Sequence, residues 1–229
     1  MLTACSSSES ASKPEGKAAC PLPGSGGDLL IDDFEDGDGF IKLPRVGYWG
    51  AFNSGTPIVQ SPPSGTIGVD FPASDDGTGN FAAHTSGSEQ ASVAGRYALI
   101  AALLRHDVGQ ATAPACAAYD ASSFTGVRFR VKGSTTSQLV QLQVPTLKTQ
   151  GVMYGGTCSA NCEDHFVVNV PVSANWTTAS FHWSDLHQLG FGQAVSFEPA
   201  QILAVQWEVA SDQGPEFDFW IDDVSFTTN

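Results

Sequence analysis

Two stretches at opposite ends of the chain set carboxylates into otherwise apolar segments: Leu29–Asp38, LLIDDFEDGD, and Phe217–Phe226, FDFWIDDVSF. A carboxylate drawn into apolar surroundings is costly unless a cation or hydrogen-bond donors meet it. Clusters that offer only oxygen suit a hard divalent ion, since calcium takes about six to eight oxygens from carboxylates and carbonyls. The pattern is not that of an EF-hand loop, because Asp32, Asp36 and Asp38 lead to no glutamate at the loop end. The expectation is a structural calcium ion shared by the first and last strands, which must then lie side by side. The competing reading is a set of solvated turn acids on an acidic surface.

A second set of residues has a different chemistry. Arg130, Gln141, Gln143, His165, Asn169, Gln206 and Glu208 alternate with apolar residues in four segments. Amides, carboxylates and planar aromatics are the groups that meet sugar hydroxyls and stack under pyranose rings. Tyr48, Trp49, Tyr154, Trp183 and Trp207 are the available rings. Trp207 is in phase with Val205 and Val209 and reads as core, whereas Trp49 and Trp183 lie near loops and, with Tyr154, are candidate platforms. If the four segments are neighbours, the polar residues form one binding patch; otherwise they are a plain solvated face. Glycoside hydrolysis needs two carboxylates flanking one bond. Glu163 or Asp164 with Glu208 would supply them, but the E-x-D-x-E strand of jelly-roll glucanases is missing, and Ser184, Asp185 and His187 form no nucleophile elbow. The expectation is non-catalytic binding, with a hydrolase or lyase, or a surface scaffold without a sugar ligand, as the alternatives.

These residues need strands to position them. GVRFRVKG (126–133), QLVQLQVP (138–145), EDHFVVNVPV (163–172) and ILAVQWEV (202–209) each alternate apolar and polar residues, the period of a half-buried strand. Leu29–Phe34, Val46–Phe52, Asn80–His84, Tyr97–Leu104, Trp176–Trp183 and Phe217–Phe226 read as further strands, giving about ten. In the last of these, Phe217, Phe219 and Ile221 are expected on one face and Trp220, Val224 and Phe226 on the other. Thr56–Asp76, rich in proline and glycine, reads as a long irregular connection. The sum is an all-β, two-sheet sandwich over residues 28–229.

Composition bounds the partners. With 10 Lys plus Arg against 24 Asp plus Glu, a net charge of −14 and 229 residues, the chain lacks the basic face that nucleic acid requires. No run is long enough to span a membrane. Leu2-Thr3-Ala4-Cys5 has the form of a lipobox whose Cys5 would carry a lipid, the only membrane link expected, with residues 6–27 as a flexible linker. The chain is read as a monomeric module of a bacterial cell envelope or a secreted one. Of the remaining cysteines, Cys158 and Cys162 would staple a tight loop and Cys20 would pair with Cys116. A zinc site on Cys158, Cys162 and His165 is the weaker alternative, for want of a fourth ligand.

LLIDDFEDGD and FDFWIDDVSF, flanking GVRFRVKG, FHWSDLHQLGFG and ILAVQWEVA, resemble carbohydrate-binding modules of the galactose-binding-like jelly-roll type. The likeness is greatest to the β-glucan-binding modules of family 11 and to lipoprotein relatives that carry a GGTCxxxCxDHF loop, here Gly155–Phe166. It covers residues 28–227 and rests on the order of five short motifs. The resemblance implies a jelly roll, a structural calcium near the termini and a polysaccharide bound on a concave sheet face. It implies as calcium ligands Glu35, the Asp33 main chain, and Asp222 or Asp223. The candidate face departs from the β-glucan binders in being richer in glutamine and arginine than in tyrosine.

Overall fold

The computed structural model describes residues 29–43, 45–55, 57–89, 95–105, 118–210 and 216–228. Cys5, the 6–27 linker and both partners of the expected Cys20–Cys116 disulfide lie outside them. Among the described residues there are twelve strands: β1 (Leu30–Asp32), β2 (Tyr48–Asn53), β3 (Ile58–Ser61), β4 (Ala73–Asp75), β5 (Phe81–Glu89), β6 (Tyr97–Leu103), β7 (Gly126–Thr135), β8 (Leu139–Val144), β9 (Phe166–Pro171), β10 (Thr177–His182), β11 (Ala204–Ala210) and β12 (Glu216–Thr227). Short 3₁₀ turns are the helical elements among the described residues, and no helix there is long and apolar enough to cross a membrane.

The strands form two antiparallel sheets. One has five strands in the order β2-β6-β11-β8-β9; the other has seven, β10-β7-β12-β5-β3, with β1 added to β12 and β4 to β5. This is the all-β sandwich that the alternating segments call for. The 56–76 stretch is less irregular than its prolines and glycines suggest, because β3 and β4 both pair with β5.

The inner faces interdigitate. Phe129 of β7 meets Trp207 of β11 edge-on, ring centroids 5.1 Å apart, and Trp207 stacks on Trp49 of β2 at 5.6 Å. Trp49, Phe129 and Trp207 are fully buried, so cutting any of them back to alanine would cost about 3–5 kcal/mol.

β1 and β12 do pair, Leu30 opposite Ser225 and Asp32 opposite Val224. The first and last of the described strands therefore meet edge to edge. Within β12 the register against β7 shifts between Asp222 and Ser225, and Asp223 takes a left-handed φ of 49°. Such a bulge moves the strand by one residue. Val224 and Phe226 consequently turn inward with Phe217, Phe219 and Ile221, all of them buried, rather than outward with Trp220.

Candidate ligand-binding face

Three neighbouring strands, β11, β8 and β9, place their polar residues on the outer face of the five-stranded sheet. Their inward partners are Val205, Trp207 and Val209, then Val140, Leu142 and Val144, then Phe166 and Val170, all buried in the core. Register then fixes two rows. Gln206 faces Gln143, which faces Val167; Glu208 faces Gln141, which faces Asn169.

The amides are joined. Gln206 donates to Gln143 Oε1 at 2.8 Å, Gln143 to Gln141 Oε1 at 2.9 Å, and Gln141 to Asn169 Oδ1 at 3.4 Å. Each of these bonds uses one of an amide's two N–H groups and one of the carbonyl's two lone pairs, leaving the remainder for a ligand. Gln141, Gln143 and Gln206 are 6–8% exposed, so only a small part of each amide reaches solvent. Tyr97 of β6 lies at the Glu208 end. Burial, then the negative charges of Glu208, Tyr154 and Glu163, push its phenol up from the usual value, so these four groups share one electrostatic neighbourhood. Tyr97 was not among the residues singled out from sequence; it begins an apolar run and looks there like part of the core.

His165 is buried beside this face, its Nδ1 3.0 Å from Thr149 Oγ1 and its Nε2 3.2 Å from Glu163 Oε2. Both ring nitrogens are thus engaged within the protein. Burial raises the Glu163 carboxyl, but bonds from His165, the Gly151 N–H and Gln150 outweigh that and hold it below the usual glutamate value. Cys158 and Cys162 form the expected disulfide, Cα atoms 5.7 Å apart, which takes both thiols away from zinc. Asp164, 2% exposed, accepts the N–H groups of Leu189, Gly190 and Gly192. A carboxylate so engaged is a loop anchor and is withdrawn from any catalytic pair.

Three of the expected ligand residues fall elsewhere. Arg130 is on β7, in the opposite sheet, because alternation along a strand fixes a face and not the sheet that owns it. There it lies 3.3 Å from both Asp222 and Asp223. Trp49 is fully buried, stacked on Trp207, with its indole N–H donated to Asp32 at 2.8 Å. Trp183 is 9% exposed, donates to the Phe124 carbonyl and packs on Phe197 and Phe226. Neither tryptophan can serve as a platform for a ligand. Tyr154, by contrast, is 67% exposed.

At the joined termini the acids are gathered but partnered. Asp32 is fully buried, and burial lifts its carboxyl to about 7 against the bonds from the Phe34 N–H and Trp49. Lys42 meets Asp33 at 2.9 Å and Asp36 at 3.5 Å. Glu35 accepts the Phe81 N–H at 3.1 Å, and Asp222, 1% exposed, accepts the Asn80 amide at 3.0 Å. Glu35 and Asp222 therefore reach the same Asn80–Phe81 pair, while Asp223 is half exposed. Among the described residues no three His, Cys, Asp or Glu side chains converge as a metal site. Asp222 is met there by the Asn80 amide and by the Arg130 guanidinium at 3.3 Å, while burial raises its carboxyl above the usual value.

No family model matches the sequence, and neither does any curated protein. Solved structures do match in fold. The chain is similar to the family 11 carbohydrate-binding module of the cellulosomal cellulase Lic26A-Cel5E of Clostridium thermocellum, with a TM-score of 0.54 and 13% identity over 89% of this chain and 95% of that one. A family 11 module from Clostridium thermocellum in complex with a β-1,3-1,4-mixed-linked tetrasaccharide gives 0.54 and 12% identity over 88% of this chain and 95% of that one. A β-1,2-glucanase from Parabacteroides distasonis gives 0.50 and 11% identity, over 87% of this chain but 25% of the enzyme. The fold is that of the jelly-roll sandwich, as the sequence resemblance implies.

Proposed function

We propose that this chain binds a polysaccharide without cleaving it, along the outer face of the five-stranded sheet. The observation that carries the reading is the linked row Gln206–Gln143–Gln141–Asn169, which spans three adjacent strands and retains donors and acceptors for hydroxyls. A row of linked amides suits a hydroxyl-rich ligand, because each amide both donates and accepts. β-Glucan is the first ligand to try, because a module of similar fold is described in complex with a mixed-linked β-glucan tetrasaccharide. Display on a bacterial cell envelope through a lipid on Cys5 belongs to the same proposal.

Affinity electrophoresis through glucan, xylan and mannan gels tests it. Retardation is expected in at least one gel and is lost in Gln143→Ala; free migration of the parent in all of them would sink the reading.

A structural calcium ion near the joined termini is part of the proposal. Glu35, Asp222 and the Asp33 carbonyl would hold it, and it would neutralise the buried Asp222 alongside Arg130. An ion bound only by the folded state must raise the melting temperature by mass action. A rise of about 4 °C or more in millimolar calcium, reversed by chelator, is expected; identical melts with and without the ion would remove it.

A further inference from the structure

The five-stranded sheet is almost without charge. Its strands read YWGAFN, YALIAAL, AVQWEVA, LVQLQV and FVVNVP, and Glu208 is the one Asp, Glu, Lys, Arg or His they contain. The seven-stranded sheet, by contrast, sets Arg128, Arg130, Lys132 and His84 among its acids. A carboxylate on a sheet of apolar and amide side chains is costly unless a cation or donors meet it. No strand of this sheet offers Glu208 a cation.

Register puts Glu208 at the head of an amide row. It lies opposite Gln141 of β8, and Gln141 lies opposite Asn169 of β9. On its other flank it lies opposite Leu99 of β6. The carboxylate therefore borders amides with bonding capacity to spare on one side and an apolar residue on the other.

The groups near it add negative charge. Burial, then Glu208, Tyr154 and Glu163, raise the Tyr97 phenol at the start of β6, and no cation draws it back. Burial raises Glu163 too, but its bonds from His165, Gly151 and Gln150 outweigh that and keep it charged at neutral pH. His165 is taken up between Glu163 and Thr149, and Lys148, on the loop after β8, is held by Glu198.

Amides serve a hydroxyl whichever sugar carries it. A carboxylate at the end of the row adds a choice by charge, because it repels a uronate and attracts a protonated amine. We propose that this face selects a glycan bearing free amino groups, a de-N-acetylated hexosamine chain, whose ammonium docks on Glu208 while its hydroxyls lie along the amides. This inference rests on the reading that the amide face holds a sugar chain. The N-acetylated chain offers a neutral amide instead and loses the attraction. The net charge of −14 favours the same ligand at long range, but salt screens that field beyond about 8 Å and screens a close, partly buried contact much less.

Titration calorimetry at about pH 5.5 and about 0.15 M salt, with β-linked hexamers of glucosamine, of N-acetylglucosamine and of glucose, tests it. The glucosamine hexamer is expected to bind about tenfold tighter than the other two. Glu208→Gln should bring the glucosamine and glucose hexamers to equal affinity. Glu216→Gln, which removes one negative charge from the opposite sheet, should keep the preference. In the parent, without any substitution, raising the salt to about 1 M should narrow it. If the parent binds the glucose hexamer as tightly as the glucosamine one, or Glu208→Gln keeps the preference, the amine docking is refuted and the sugar face survives. If the parent binds none of the three, the reading beneath falls and the inference falls with it.

Discussion

The two outer faces of this sandwich are built on the same core but meet their polar demands in opposite ways. On the seven-stranded sheet, rings and cations interleave across β7, β12 and β5 and the Trp176 that precedes β10. Arg130 lies 4.7 Å from the Trp176 ring, Lys132 lies 4.9 Å from both Trp176 and Trp220, and His84 stacks on Trp220 at 3.9 Å. Acids close the stack: Asp222 and Asp223 on Arg130, Asp76 on Lys132 and the Trp176 indole, Asp218 on His84. Trp176 and Trp220 are both half-buried and each ring has two such neighbours. A shallow hollow beside the stack is lined by Ser86, Ser88, Ser134, Thr136, Glu216 and Asp218, with Phe217 at its wall. On the five-stranded sheet the amides bond to one another and keep capacity to spare. Polar content alone therefore does not mark a binding face. What distinguishes the faces is whether the side chains are satisfied by their neighbours.

Breaking each face should give opposite signatures. The largest effect is expected from Gln143→Ala, which takes the acceptor from the Gln206 amide and the donor from the Gln141 carbonyl oxygen, at about 1–3 kcal/mol apiece. Sugar affinity measured by calorimetry should fall tenfold or more, that is by at least about 1.4 kcal/mol. Trp220→Ala should do the reverse. Unfolding in urea should show a loss of about 2 kcal/mol from burial and cation–π contact, with sugar affinity unchanged.

Acid sharpens the contrast. Glu163 on one face and Asp76 on the other are both held below their usual carboxyl values. For Glu163, burial is outweighed by His165, Gly151 and Gln150; for Asp76 the cause is chiefly the Thr78 hydroxyl, then the Trp176 indole, with Lys132 adding to it against burial. A depressed carboxyl contributes stability above its unfolded value, and that contribution is lost as pH falls through its folded value. Thermal melts should therefore decline below about pH 4. Glu163→Gln should flatten the acid limb of sugar binding, and Asp76→Asn that of stability alone. The smallest effect belongs to Arg130→Gln, whose sugar affinity should match the parent within about twofold. A larger loss would mean that the seven-stranded face takes part.

Much of the face could be read from the chain because its strands alternate strictly. Gln141 and Gln143, Gln206 and Glu208, and Asn169 were each opposed by core residues, and period two leaves no other side for them. The joining of β1 to β12 was legible from matched acidic strands at the two ends. Arg130 misled because its strand alternates just as well, and membership of a sheet depends on long-range pairing that no local pattern carries. Trp49 and Trp183 misled because closeness to a loop in sequence is not exposure; Trp49 fills the centre of the core. The inward return of Val224 and Phe226 hinged on a bulge at Asp222–Ser225, which adds one residue and reverses the phase. Tyr97 was hidden in an apolar run.

The central claim is that the linked amides are where the ligand lies. A ¹⁵N-edited NMR titration of the protein with mixed-linked β-glucan oligosaccharide reads it directly, through side-chain amide and indole resonances. The amide pairs of Gln141, Gln143, Gln206 and Asn169 should shift in a saturable manner, while the indole N–H signals of Trp176 and Trp220 stay in place. Shifts confined to those two indoles, or amide signals that do not move at saturating sugar, would contradict it.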